Sequence, residues 1–408
     1  MLPVIAWLLC LFLVARIFGV AAERIGQSAP VGELLAGVLL ALALALLGPL
    51  NGFVATNDAI PYLADIAALA IFFLVLQAGV ELAPKEVFAA SRGALLVALG
   101  GVLLPLALGV ALAWWAIPDS ELKLAQALVV GVAISVTAIP ATARVFEELG
   151  LLHNRLGVMV LSAALIDDVF GLLLLAAVTT VATTAGGVDL AGLGWLAAKA
   201  AGFFAVTSLL GVHVYPHISG RLREEKVMAL ELSALVAVGL AYAILAEALG
   251  LHWVMGAFMA GLFFEPHRIG RRPYEDMRLV LAAICSGVLG PMFFVSIGLQ
   301  VDLAAAVAEP LLLVLVISAA FLGKLVGAGL PARLLGFDRR QACAIGVGMS
   351  ARGAVELIIL GVVAEAGVFT PGPENGVVGS LFSMLVLMAV VTTLVTPLAL
   401  RWLLKRDD

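Results

Sequence analysis

Five ionisable residues lie inside long apolar stretches, and they are the first candidates for chemistry. Two are adjacent aspartates, Asp167 and Asp168; the others are Lys324, Arg352 and Glu356. A charge near the centre of a membrane helix costs about 2.5–3.5 kcal/mol even on insertion-based scales, so a charge kept there indicates function. Carboxylates in such a place can bind a cation or carry a proton.

The two aspartates cannot act as a facing pair. Successive side chains on one helix diverge by about 100°, so Asp167 and Asp168 face different neighbours. One can ligate a cation or carry a proton while the other meets a counter-charge. Lys324 lies near the middle of another apolar stretch and is the natural partner of one aspartate. A structural ion pair and a titrating lysine both fit the sequence.

Two apolar stretches carry the marks of interrupted helices. Residues 135–144 hold Pro140 among hydroxyl and β-branched residues, and residues 346–356 hold three glycines, including Gly353. Proline removes a backbone donor, and irregular backbone at membrane depth is tolerated only where it is buried or lines a cavity. Arg352 and Glu356, one turn apart, could neutralise the ends of the half-helices or each other.

The composition places these residues in a membrane. Of 408 residues, 63% are apolar and 12% charged, against about 45–50% and 25% in soluble domains. We expect an all-α polytopic membrane protein with no enzyme activity, because no phosphate loop, nucleophile elbow or zinc signature is present. The apolar stretches predict thirteen spans, at about 2–20, 31–48, 62–82, 94–117, 124–146, 156–183, 190–214, 227–249, 252–264, 279–299, 310–332, 341–365 and 378–402.

The basic residues predict the orientation, since short cytoplasmic loops are enriched in Lys and Arg. Of the 23 lysines and arginines, 19 fall in the odd-numbered connections and the C-terminus or at the span ends that adjoin them, whereas Lys123 alone falls in the even connections. The N-terminus is therefore expected outside and the C-terminus in the cytoplasm. No polar stretch is long enough for a soluble domain, so residues 1–408 are expected to form one membrane transport domain.

The two interrupted spans occupy equivalent places. Spans four to six and eleven to thirteen each have the broken helix second, and their offset of seven crossings gives the two units opposite orientations. Inverted repeats with crossed discontinuous helices and a site at the midplane are typical of secondary transporters.

The chain resembles the monovalent cation/proton antiporter superfamily, in particular its bacterial sodium/proton and Kef-type branch. The Asp167-Asp168 pair with Lys324 is the specific part of the resemblance. The weaker parts are residues 31–37, 137–150, 256–261, 291–299 and 351–353. The resemblance implies an NhaA-like fold, with a mobile core (about 94–183 and 310–402) that moves against a dimerisation scaffold (about 1–82 and 190–299). It also implies a homodimer in the cell (inner) membrane.

The resemblance assigns roles to individual residues. It implies that Asp168 is the ion ligand and proton carrier and that Asp167 pairs with Lys324. The expected cation- and proton-binding set is Asp168, Asp167, Thr137 and Ser135, the charge-compensating set is Lys324, Arg352 and Glu356, and the helix breaks are at Pro140 and Gly353. The two aspartates would bind a monovalent metal cation. Many relatives have Glu directly after the Arg-Gly of span twelve, where this chain has Ala354 and places Glu356 two residues later.

The function expected from these residues is exchange of Na⁺ (or Li⁺) for H⁺ by alternating access, with both ions competing for Asp168. Paired aspartates with the lysine look like the electrogenic type within the superfamily. The alternative on the same scaffold is K⁺/H⁺ exchange of the Kef type. An intramembrane aspartyl protease is disfavoured because its aspartates must lie on facing helices, and a sodium-coupled organic-solute symporter would not need Lys324. The expected partners are monovalent cations, protons, membrane lipids and a second copy, with no cofactor and no nucleic acid.

Overall fold

The computed structural model describes residues 2–47, 60–81, 92–120, 122–151, 154–183, 195, 198–213, 228–369 and 376–404. Within these residues the regular structure is entirely helical. The helices are α1 (Leu2–Arg24), α2 (Ala29–Leu47), α3 (Ile60–Glu81), α4 (Arg92–Ala116), α5 (Lys123–Ser135), α6 (Ile139–Glu148), α7 (Arg155–Thr183), α8 (Ala198–His213), α9 (Met228–Ala248), α10 (Val254–Leu262), α11 (Pro266–Ile269), α12 (Arg271–Ile284), α13 (Gly290–Leu299), α14 (Leu303–Ala308), α15 (Pro310–Leu334), α16 (Arg339–Gly348), α17 (Ala354–Glu365) and α18 (Gly376–Leu404).

The expected fold class, an all-helical polytopic membrane protein, is confirmed. Each of the thirteen apolar stretches coincides with one helix or with two consecutive ones. Among the described residues, seven helices are both long and apolar enough to cross a membrane, and four further apolar helices are shorter. The number of thirteen crossings stays a prediction.

The helix that contains span ten has an irregularity that the sequence did not predict. It begins at Arg271, ahead of the apolar stretch, and residues Cys285–Leu289 form a π-helical turn between α12 and α13. A π-turn inserts one extra residue into a helix and is frequent at functional sites. Ser286 of this turn lines a cavity.

Close glycine contacts join the helices in a repeating manner. A Cβ atom on Gly37 of α2 would lie 2.3 Å from the carbonyl oxygen of Val295, and one on Gly79 of α3 would lie 2.4 Å from that of Phe258. The first contact joins α2 to α13, and the second joins α3 to α10. An offset of seven predicted spans takes spans two and ten to spans nine and three, so the α2–α13 crossing and the α3–α10 crossing are equivalent in the inverted repeat.

The α4–α15 crossing is the third such contact. A Cβ on Gly100 would lie 2.1 Å from the Gly327 carbonyl oxygen, and one on Gly327 would lie 2.3 Å from that of Gly100. The same offset converts this crossing into itself. Only glycine allows backbones to approach so closely, and these crossings hold the long helices that surround the two interrupted ones.

Candidate functional site

The two interrupted helices cross with their breaks in contact. Between α5 and α6 the chain is extended at Val136 and Ala138, and between α16 and α17 it is extended at Gly353. The Ala138 N–H donates a 2.8 Å hydrogen bond to the Ala351 carbonyl. A Cβ on Gly353 would lie 2.5 Å from that of Ala138. The structure places the breaks next to the two residues that predicted them, with Pro140 in the first turn of α6.

Threonine hydroxyls hold this crossing together. Thr137 Oγ1 donates to the Met349 carbonyl at 2.8 Å, and Thr142 Oγ1 donates to the Gly348 carbonyl at 2.6 Å. From α18, Thr393 Oγ1 accepts the backbone N–H of Arg352 at 3.1 Å. Each bond satisfies a backbone group that an unbroken helix would satisfy internally.

The sequence did not predict the roles of Thr142 and Thr393 at the crossing. Ser135 was predicted as a site residue, but its hydroxyl bonds within its own helix. In the sequence, Thr142 and Thr393 are hydroxyl residues in apolar stretches. Such a hydroxyl can equally donate a hydrogen bond to a carbonyl one turn earlier in its own helix. Ser135 does back-bond: its Oγ donates to Val132 within α5 at 2.9 Å. Of the two predicted hydroxyls, Thr137 is the one that contacts the other break.

The ion pair expected between the lysine and an aspartate is formed by Asp167. Lys324 Nζ lies 2.9 Å from Asp167 Oδ1, and both side chains are fully buried. Among the described residues, Asp167 Oδ2 has no hydrogen-bond partner. Asp167 therefore depends on Lys324 to compensate its charge.

Asp168 faces a different environment, as expected from the angle of about 100° between successive side chains on a helix. It lines a cavity of about 740 Å³, together with Thr137, Arg352 and Gly353 of the crossing. Its Oδ1 has no hydrogen-bond partner in the part of the chain that the structure describes. A carboxylate with a free oxygen, reached through a cavity and adjacent to unwound backbone, can bind a small cation or a proton.

Arg352 compensates the carbonyl end of α5. Its guanidinium donates hydrogen bonds to the carbonyls of Ala133, at 3.3 Å, and of Ile134 and Val136. The C-terminal end of a helix carries a partial negative charge, which a cation stabilises. Arg352 Nε also lies 3.7 Å from Glu356 Oε2. The sequence left open whether Arg352 neutralises a half-helix end or pairs with Glu356, and in the structure its side chain does both.

Glu356 is the least satisfied of the predicted residues. Its side chain is fully buried in the first turn of α17, and neither carboxylate oxygen has a hydrogen-bond partner among the described residues. The N-terminal end of a helix favours negative charge, and the Arg352 guanidinium adds to this. Its position, two residues after that of many relatives, thus keeps a carboxylate beside the break.

A second charged pair lies in the same cavity and was missed. Glu33 seemed to belong to the end of span two, yet it is only 2% exposed. Arg16 Nη1 of α1 lies 3.4 Å from Glu33 Oε1, and both residues line the cavity that contains Asp168. The sequence signal was a carboxylate near the start of an apolar stretch, which is also typical of an exposed helix end.

Known proteins that are similar to this chain are cation/proton antiporters. Residues 9–406 match the family described as "Sodium/hydrogen exchanger, transmembrane". The chain is 27% identical to the Na(+)/H(+)-K(+) antiporter GerN of Bacillus cereus, with 98% of this chain and 95% of the relative covered. It is 28% identical to a Na(+)/H(+) antiporter of Enterococcus hirae, with 98% of each covered.

A solved structure shares the fold. The sodium proton antiporter MjNhaP1 from Methanocaldococcus jannaschii superimposes with a TM-score of 0.69 at 14% identity, covering 98% of this chain and 95% of that one. The superfamily resemblance drawn from the Asp167-Asp168 pair and Lys324 is confirmed. With its match over residues 9–406, the chain belongs to the transmembrane sodium/hydrogen exchanger family, whose members are transporters and not enzymes.

Proposed function

We propose that this protein exchanges Na⁺ or Li⁺ for H⁺, with both ions competing for Asp168. One observation carries the proposal: the pair is split, so that Lys324 compensates Asp167 while Asp168 keeps a free oxygen at a cavity. The relative from Enterococcus hirae is named a Na⁺/H⁺ antiporter and supports sodium over the Kef-type potassium alternative, whereas the name of GerN includes K⁺ as well as Na⁺.

The mechanism follows from the charge of one carboxylate. Ionised Asp168 attracts the cation, and protonated Asp168 does not, so the site releases one ion when it takes the other. Thr137 lines the cavity with Asp168 and supplies a hydroxyl oxygen as a neutral ligand, and Ser135 would supply a second one after leaving its bond to Val132. Lys324 compensates Asp167, and Arg352 and Glu356 are proposed to compensate the half-helix ends.

Exchange of two protons for one Na⁺ moves one net charge per cycle and needs a second proton carrier besides Asp168, for which the proposal takes Lys324 of the buried pair with Asp167. Such a cycle gains about 2.3 kcal/mol per 100 mV of membrane potential. A vesicle assay in which the potential is set separately from the pH gradient tests this stoichiometry, since an electroneutral exchanger would not respond to the potential.

Alternating access is proposed to move the core (94–183 and 310–402) against the scaffold (1–82 and 190–299). Of the three buried apolar clusters, the largest contains residues of both parts and forms the contact between them, whereas the two smaller ones each lie within one part. One contains Phe146, Val160 and Phe337 and draws all its members from the core, and another contains Leu11, Ala36 and Met292 and draws all its members from the scaffold. The scaffold is proposed to form the homodimer contact in the cell membrane, with the N-terminus outside and the C-terminus in the cytoplasm.

The test uses purified protein in liposomes with an imposed pH gradient and a pH-sensitive dye inside. Na⁺, Li⁺ and K⁺ are added in turn, and valinomycin with K⁺ clamps the potential for the first two. We expect Na⁺ or Li⁺ to collapse the gradient and Asp168→Asn to abolish the response. Asp119→Asn, which removes an exposed carboxylate, is the control. Activity retained in Asp168→Asn refutes the role of Asp168, and collapse by K⁺ alone moves the protein to potassium exchange.

A further inference from the structure

The cavity that reaches Asp168 has a charged wall away from the helix crossing. Arg16 of α1, Glu33 of α2 and Ser286 of the π-helical turn all line it. These residues come from three scaffold helices and take no part in the contacts between the two breaks. A cation that reaches Asp168 through this cavity passes their electrostatic field.

Arg16 is anchored by a carbonyl that the π-turn leaves without a helical partner. In a regular α-helix the Ser286 carbonyl would accept the N–H of Gly290, but that N–H is given to the Cys285 carbonyl. The next residue, Pro291, has no N–H to offer. Arg16 Nη1 donates to the Ser286 carbonyl at 2.9 Å, so the π-turn holds a positive charge in the cavity wall.

Glu33 neutralises that charge. Its carboxylate is 3.4 Å from Arg16 Nη1, with 3% of the Glu33 side chain exposed against 36% for Arg16. Because the shorter hydrogen bond of Arg16 goes to Ser286, removal of the Glu33 carboxylate would leave the guanidinium in place. Arg16 would then lack its ion-pair partner on the route of a cation, and the other carboxylates that line this part of the cavity, Glu23 and Glu81, would compensate it only from a greater distance.

We propose that Glu33 controls cation entry by cancelling the field of Arg16. The inference rests on the proposed function, since it needs a cation that reaches Asp168 through this cavity. Charges that line a cleft with low-dielectric walls change local ion concentrations by about tenfold or more. Neither side chain lies at the crossing, so the effect falls on the apparent affinity for the cation and not on the maximal rate.

The test compares transport kinetics of four proteins at two ionic strengths. Glu33→Gln raises the KM for Na⁺ about tenfold at low ionic strength, with a maximal rate close to that of the wild type. The difference in KM between Glu33→Gln and wild type becomes smaller when choline chloride is added, because the Debye length falls from about 10 Å at 0.1 M to about 3 Å at 1 M salt. Arg16→Gln added to Glu33→Gln restores the wild-type KM.

A matched control removes another Arg–Glu pair. Glu275 Oε1 lies 2.8 Å from Arg271 Nε, both side chains are exposed, and neither lines the cavity. Glu275→Gln therefore leaves the KM unchanged. A purely structural role for Glu33 would instead lower the maximal rate, would not respond to choline chloride, and would not be relieved by Arg16→Gln.

A second readout does not depend on turnover. Calorimetric titration of Na⁺ onto the purified proteins measures the apparent Kd. We expect the ratio of Kd values between Glu33→Gln and wild type to equal the ratio of their KM values. An unchanged KM and Kd in Glu33→Gln, or a double variant as weak as the single one, overturns the inference. That failure is distinct from failure of the proposed function, which would appear as activity in Asp168→Asn whatever Glu33 does.

Discussion

The buried pair of Lys324 and Asp167 allows a quantitative test of how the site is held. At 2.9 Å and an effective dielectric constant of about 20, the two charges attract by about 6 kcal/mol. Desolvation of both charges opposes this gain, but loss of one partner strands the other and costs about 3–5 kcal/mol. Lys324→Met and Asp167→Asn should therefore each lower Tm by about 4–6 °C, because an unfolding entropy of about 2.1 cal/mol/K per residue gives about 1.2 °C per kcal/mol for a chain of this size.

The variant that carries both Lys324→Met and Asp167→Asn distinguishes loss of the charge–charge attraction from a general loss of stability. With both charges removed, neither is stranded, and we expect its Tm to lie within about 3 °C of wild type. The assay is thermal unfolding of the detergent-purified proteins near neutral pH, followed by loss of the monodisperse peak in size-exclusion chromatography. If the losses of the two single variants simply add in the double variant, the two side chains are not coupled and the reasoning is refuted.

The same chemistry at the surface is the control. Lys123 Nζ lies 2.8 Å from Asp119 Oδ1, but the Asp119 side chain is 98% exposed. The hydrogen bond and the charge of Lys123 hold the pKa of the Asp119 carboxyl below its ordinary value. The pair is therefore fully charged near neutral pH, and its contribution is lost only in acid, as the pH falls through that lowered pKa. Its double-variant cycle should show no measurable coupling, because exposed pairs are screened by water.

Three further substitutions test the crossing and the helix contacts. Arg352→Lys should reduce the transport rate in vesicles at least about tenfold. An ammonium cannot span the separate carbonyls that the guanidinium binds, and each lost charged hydrogen bond costs about 1.5–3 kcal/mol. Gly100→Ala should lower Tm by about 1–4 °C through overpacking against Gly327, whereas Gly202→Ala, with no atom within 4 Å of the added Cβ, should not lower it. Thr393→Val should slow transport because it frees the Arg352 backbone, and a rate equal to wild type would contradict that role.

Much of the site could be predicted because polar residues stand out in an apolar sequence. Pro140 and the glycines around Gly353 marked both breaks, and the helical angle between Asp167 and Asp168 required them to face different neighbours. The angle alone did not determine which aspartate meets Lys324, because that depends on the rotation of α7 within the bundle. The resemblance supplied this assignment, and the geometry agrees with it.

Other features could not be predicted, for a reason specific to membranes. Residues that face lipid and residues that face other helices are both apolar, so the hydrophobic pattern does not reveal which side of a helix is buried. Glu33 therefore looked like an exposed helix end. Its partner Arg16 is held by Ser286, which is 270 positions from Arg16 in the chain. The π-helical turn that frees this carbonyl has no reliable pattern of its own.

The glycine contacts bear on the origin of the fold. The contact at Gly37 and the contact at Gly79 are two copies of one geometry, whereas the Gly100–Gly327 crossing is its own counterpart. A chain of half this length, inserted into the membrane in both orientations, would form all of these contacts between two separate molecules. The three crossings thus describe the interface of an antiparallel dimer, which fusion of two gene copies would have converted into the interior of a single protein.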